Sequence, residues 1–197
     1  MLASKNRLIN TDMRKKSDRP SLNNFSHLVQ FYRHETELLN LLAAYFKSGI
    51  EQGDAFVVIA TKVHLDLIQN RLGSLMDIDR AIVTRRFTPL DAEEVLADIM
   101  VGKLPDIKKF NRVLGGIMDR AAMRSHKVRA TGEMVALLWN AGNQEGALKL
   151  EKLWNSLAKK RNVSLLCSYP DSCLQNGKPH PEIYTLHSKI ITTERTF

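Results

Sequence analysis

Residues 54–61, Asp-Ala-Phe-Val-Val-Ile-Ala-Thr, form an unbroken apolar run rich in β-branched residues, set between two stretches of helical periodicity. A strand that is apolar on both of its alternating faces must be covered on both sides, as in a parallel sheet sandwiched between helices. Similar short runs at His27–Tyr32, Ala81–Phe87, Val128–Thr131 and Val163–Tyr169 read as further strands bounded by turn residues. The intervening segments carry helical spacing. Leu38, Leu42, Tyr45 and Phe46 share one face of a helix opened by His34 or Thr36 and ended by Gly49 and Gly53. A second helix covers Lys62–Leu72 and stops at Gly73. Asp91 is placed to cap Ala92–Val101, which Gly102 and Pro105 close, and Asp106 opens another helix bearing Phe110, Leu114 and Ile117. Two more fall near Glu133–Trp139 and Gln144–Lys160. The order β-α-β-α-β-α-α-β-α-α-β predicts an α/β three-layer sandwich with a mostly parallel sheet.

At 197 residues the chain suits one domain of ordinary size and buries roughly 70% of its unfolded surface without a disulfide or metal. Two cysteines, one inside a strand pattern, fit a reducing compartment, so a cytoplasmic location is expected. No apolar run approaches the roughly 20 residues of a membrane span. Of the net charge of +8, half lies in residues 1–20, where six Lys/Arg face two Asp. This predicts a flexible basic tail over 1–24 and a folded domain over 25–197. The tail is too short for a helix-turn-helix module, and direct nucleic-acid binding is not expected.

Open parallel sheets bind ligands at the carboxyl ends of their strands. The sequence puts Glu133, directly after a strand, and the segment Cys167 to Tyr169 there. Glu133 either faces the crevice or caps the next helix. Trp139 and Trp154 lie on apolar helix stripes and read as core. A phosphate loop needs glycines and a Lys-Ser/Thr pair, and residues 31–39, FYRHETELL, hold neither. Walker-type nucleotide hydrolysis is therefore not expected. Cys167, Cys173, His180 and His187 are spaced more widely than in compact zinc modules, although His27, Cys167 and His187 could assemble a metal site in space. Neither a metal nor a cofactor is fixed by the sequence.

Seven blocks in order extend this reading: HLVQFY at 27–32, SGIEQGDAFVVIAT with His64 following at 48–64, LDAEEVLADIM at 90–100, GEMVALLWNAGN at 132–143, LEKLWNSLA at 150–158, LLCSYP at 165–170 and LHSKIITTE at 186–194. In these the chain resembles the MEDS (methanogen/methylotroph, DcmR sensory) domain family of prokaryotic signalling proteins. The resemblance implies a RecA-like fold without a phosphate loop. It also implies a sensory role, not an enzyme's, for a small ligand such as a simple hydrocarbon derivative, and because the chain departs from many members in carrying no attached DNA-binding or kinase domain, a stand-alone sensor or adaptor is expected. Signalling would pass through a partner protein such as a histidine kinase or transcription regulator. Carried over by position, the ligand-binding candidates are His27, Tyr32, His64, Glu133, Cys167 and His187. Two alternatives remain open. One is an enzyme with Cys167 as nucleophile and His27 or His187 as base. The other is a ligand-free scaffold for a kinase or regulator.

Overall fold

The computed structural model describes residues 27–125, 127–174 and 176–191. The basic stretch predicted over 1–24 lies outside them. The chain enters at β1 (His27–Tyr32) and continues through α1 (Glu35–Gln52), β2 (Ala55–Ala60), α2 (Lys62–Leu72), α3 (Ile78–Val83) and β3 (Phe87–Asp91). Next come α4 (Ala92–Ile99) and a short hairpin of β4 (Met100–Val101) with β5 (Leu104–Pro105). Then α5 (Ile107–Phe110) runs through a π-type turn into α6 (Gly116–Ala122). The second half holds β6 (Val128–Gly132), α7 (Met134–Asn140), α8 (Gln144–Arg161), β7 (Val163–Pro170), α9 (Pro181–Leu186) and β8 (Lys189–Ile191).

All six strands of the main sheet run parallel, in the order β3-β2-β6-β7-β1-β8. Alternate residues feed two cores. Leu28, Phe56, Val58 and Leu166 pack against Leu38, Leu42 and Phe46 of α1, Ile68 and Leu72 of α2, and Ala81 of α3. Val29, Val57, Ala130 and Leu165 face the opposite layer, with Val95 of α4, Leu114 of the π-type turn, Met118 of α6, Val135 of α7, Leu150 and Trp154 of α8, and Ile183 of α9. The three-layer α/β sandwich is thus the observed architecture, and both tryptophans are core residues. Trp154 meets Phe110 edge-on at 5.2 Å.

The third predicted strand is a correction. Residues 78–83 form a helix, not the start of a strand. Asp77 accepts from the Arg80 amide as its cap, and of its β-branched pair Val83 faces solvent at 82% exposure. The turn after it carries Arg85 at φ 58°, and the strand begins only at Phe87. Pro89 is tolerated in β3 because that strand is at the sheet edge. The helix predicted over Ala92–Val101 ends at Ile99, and Gly102 (φ 58°) turns the hairpin instead. Two elements after β7 were not expected: α9, with Pro181 in its first turn, and the edge strand β8.

One buried charge fixes the end of the sheet at which β2 and β6 begin. Arg129 of β6 is fully buried, and its Nε donates to Asp54 Oδ2 at 2.6 Å. Its Nη1 donates to the Tyr45 carbonyl at 3.0 Å and to Ser48 Oγ at 2.8 Å, so the guanidinium is paired as well as hydrogen-bonded. Gly49 makes room for it, because a Cβ there would lie 2.6 Å from Arg129 Nε.

Candidate functional site

At the carboxyl ends of the strands, β2 and β6 are neighbours whose connections diverge. β2 leads through α2 and α3 on one face to β3, and β6 leads through α7 and α8 on the other face to β7. In open parallel sheets a switch point of this kind is where ligands bind. Glu133, the first residue past β6, lies at it and is buried. Its side chain does not cap α7. Instead Oε2 accepts from the Thr61 amide at 3.2 Å, and Oε1 accepts from His64 Nδ1 at 2.6 Å. Thr61 caps α2 through its hydroxyl, which accepts from the His64 amide, so the imidazole is held in the first turn of that helix. His64 Nε2 lies 3.5 Å from Glu35 Oε1. The hydrogen bond to Glu133 raises the His64 pKa above its ordinary 6.5, against the opposing effect of burial. Tyr32 ends β1 nearby. Burial, and next the charge of Glu133, push its hydroxyl above the usual phenol range.

The other three candidates meet elsewhere, between the sheet and α8. His27 and Cys167 are diagonal neighbours on β1 and β7, since Val29 pairs with Cys167, and both face the α8 layer. His27 Nε2 lies 3.2 Å from Cys167 Sγ. His187, just past α9, sets its ring centroid 4.0 Å from that of His27, with the two planes tilted by 45°. The centre of the group is a residue that the sequence reading did not select, Glu151 of α8, which is fully buried. Its Oε2 is 3.1 Å from His27 Nε2, 3.5 Å from Cys167 Sγ and 3.5 Å from His187 Nε2, and its Oε1 accepts from the Tyr169 hydroxyl at 2.8 Å. The available signal was position. Glu151 falls on the inward stripe of α8 with Ala147, Leu150 and Trp154, where a carboxylate needs a partner.

Burial acts to raise the Glu151 pKa, but the facing rings of His187 and His27 outweigh it and hold the carboxyl well below the usual carboxylate range. Burial, then the charge of Glu151, push the Cys167 thiol well up. One ligand atom from each of His27, Glu151, Cys167 and His187 lies within 4.8 Å of all the others, and these four residues could hold a metal ion. Among the described residues, an open groove of about 470 Å³ lies apart from both groups, beside β3 and α6, lined by Arg85, Thr88, Pro89 and Arg120.

The family model for the MEthanogen/methylotroph, DcmR Sensory domain matches residues 26–177. The chain belongs to the MEDS family. Membership makes it a sensory domain of the signal-transduction class. The match takes in five of the six candidates, and His187 lies beyond it. No curated protein matches the chain. A similar solved structure is a KaiC-like protein from the hyperthermophilic archaeon Pyrococcus horikoshii OT3. Its TM-score is 0.56 at 13% identity, covering 87% of this chain and 75% of that one. At that identity the likeness carries the RecA-like fold alone. Among the described residues of this MEDS domain, no helix is long and apolar enough to cross a membrane.

Proposed function

We propose that this MEDS domain is a binding module, not an enzyme, that takes a small polar ligand such as a simple hydrocarbon derivative in the switch-point crevice. The observation that carries the reading is Glu133. Its carboxylate bridges the Thr61 amide and His64 across the two diverging connections, beside Tyr32. A hydroxyl-bearing ligand would compete for that carboxylate. Because Glu133 directly precedes α7, its withdrawal would shift the start of α7 and the packed α7–α8 pair. A ligand can signal only through different affinity for two conformations, and this helix pair is the element that would differ between them. In the cytoplasm, a histidine kinase or transcription regulator would read the change from the helix surface. The Cys167 and His27 pair approaches nucleophile–base distance, but the sulfur faces the Glu151 carboxylate in a closed core, which opposes thiolate formation.

The test is ring-proton NMR of the full chain titrated with methanol, 1-propanol, dichloromethane and ATP. Saturable shifts of the His64 and Tyr32 signals with an alcohol or halocarbon, abolished by Glu133→Ala, are the expected result. Saturation by ATP alone, or shifts that survive Glu133→Ala, would overturn the assignment. No saturable response to any of the four would transfer the role to a ligand-free scaffold.

A further inference from the structure

We propose that His27, Glu151, Cys167 and His187 form a closed four-ligand site for a divalent metal, with Zn²⁺ the best-matched ion. The argument starts from the protons. Asn155 Nδ2 donates to the Leu186 carbonyl at 2.7 Å, so its amide oxygen faces His27 Nδ1 at 3.1 Å and can only accept. His187 Nδ1 lies 2.8 Å from the Ile183 carbonyl, again an acceptor only. Each ring therefore donates from Nδ1, which leaves Nε2, the nitrogen that faces Glu151 and Cys167, as the atom free to ligate once a cation displaces any proton there. Metal-binding histidines are oriented in this way, the remote N–H being given to a carbonyl or carboxylate.

Four electron-rich atoms then converge in a buried space. His187 Nε2 is buried and has no hydrogen-bond partner, although it lies 3.5 Å from Glu151 Oε2. A proton placed there would meet no well-aligned acceptor. A cation at the centre of the four would satisfy this nitrogen together with the other three donors. The spacing agrees. Tetrahedral Zn²⁺ with Zn–N and Zn–O near 2.0 Å and Zn–S near 2.3 Å has ligand-to-ligand edges of about 3.3–3.6 Å. Of the six edges between these atoms, four are 3.1, 3.2, 3.5 and 3.5 Å, and the two remaining, from His187 to His27 and to Cys167, are within 4.8 Å. Thiolate and carboxylate together neutralise the dication, and a thiolate with two imidazoles and one carboxylate suits Zn²⁺ better than Mg²⁺ or Ca²⁺. Four protein ligands leave no open position, which is the pattern of a structural site. The metal would bolt the α9–β8 segment, through His187, to β1, β7 and α8.

Chelator-treated, reduced full-length protein titrated with Co²⁺ tests this directly. The expected result is saturation at one Co²⁺ per chain, with the visible bands of a tetrahedral ion and a thiolate-to-cobalt charge-transfer band, both displaced by Zn²⁺. The charge-transfer band disappears in Cys167→Ala and persists in Cys173→Ala, the only other thiol in the sequence. Asn155→Ala, which removes the acceptor at His27 Nδ1, weakens Zn²⁺ about 10–100-fold while the spectrum stays tetrahedral. Failure of the wild-type protein to give a charge-transfer band, or loss of that band in Cys173→Ala with Cys167→Ala unaffected, would overturn the proposal. If Cys167→Ala does not fold, the wild-type and Cys173→Ala titrations decide the question.

Discussion

His64 and His27 each lie against a buried carboxylate, at 2.6 Å from Glu133 and 3.1 Å from Glu151, yet their second nitrogens face opposite chemistry. The remote nitrogen of His64 looks at another carboxylate, Glu35, while that of His27 looks at the neutral amide oxygen of Asn155. Two carboxylates favour the doubly protonated ring, which donates from both sides. One carboxylate and one amide leave the ring able to offer a lone pair. Exposure reinforces the contrast, because the His64 side chain is 16% exposed and that of His27 only 4%. The same two residue types thus make a proton-responsive latch in the crevice and a donor set in the core. What separates them is the next shell of partners, together with burial.

The largest effect should come from the core pair. Glu151→Ala removes the partner of both rings and of the Tyr169 hydroxyl, and urea unfolding of chelator-treated protein should show a loss of about 3–5 kcal/mol. A loss under about 1 kcal/mol would place the core cluster in the same class as the surface pairs. The crevice pair should respond to pH instead. His64 has a folded-state pKa above 6.5, so its contribution to stability is complete below 6.5 and drains away as pH rises through the folded value. The wild-type urea midpoint should fall over that window and the Glu133→Gln midpoint should not. The difference should be only about 1 kcal/mol, because the pair is partly exposed. Equal slopes for the two proteins would break the comparison. Smallest is Glu35→Gln, at an exposed position 3.5 Å from the ring. It should lower the His64 midpoint in an NMR titration and change stability by about 0.2–0.5 kcal/mol.

The elements that could be read from the sequence were those whose local signals agreed. In α2, Thr61, Gly73 and the apolar spacing all place the same boundaries, and β2 is marked by a run buried at every position. Residues 81–87 failed because Ile82, Val83 and Thr84 carry strand propensity, whereas the Asp77 cap and the buried Ala81 impose a helix of six residues. β8 was missed because three residues on a sheet edge leave almost no periodic trace. For the site, the residue types were legible and so was one grouping, His27 with Cys167 and His187, whereas its separation from Tyr32, His64 and Glu133 was not. Six candidates named by position divide into two places because Glu133 meets His64 across 69 residues of sequence and Cys167 meets His27 across 140. Glu151 was passed over because the stripe around it read as core, and a single acid on such a stripe is informative only when its partners are known.

The strand order also dictates when the protein can be completed. Among the described residues β1 is the first strand made, but its neighbours in the sheet are β7 and β8, the last two. About 130 residues separate Tyr32 from Val163, and at roughly 5–20 residues per second the ribosome takes roughly 7–26 s to supply them. Throughout that interval Val29 and Phe31 on one face, and Leu28 on the other, have no strand to pair beside, and the edges of β1 are open. The first of the described strands to emerge is therefore among the last to be locked in, and a nascent chain of this topology depends on its early strand staying out of the wrong sheet.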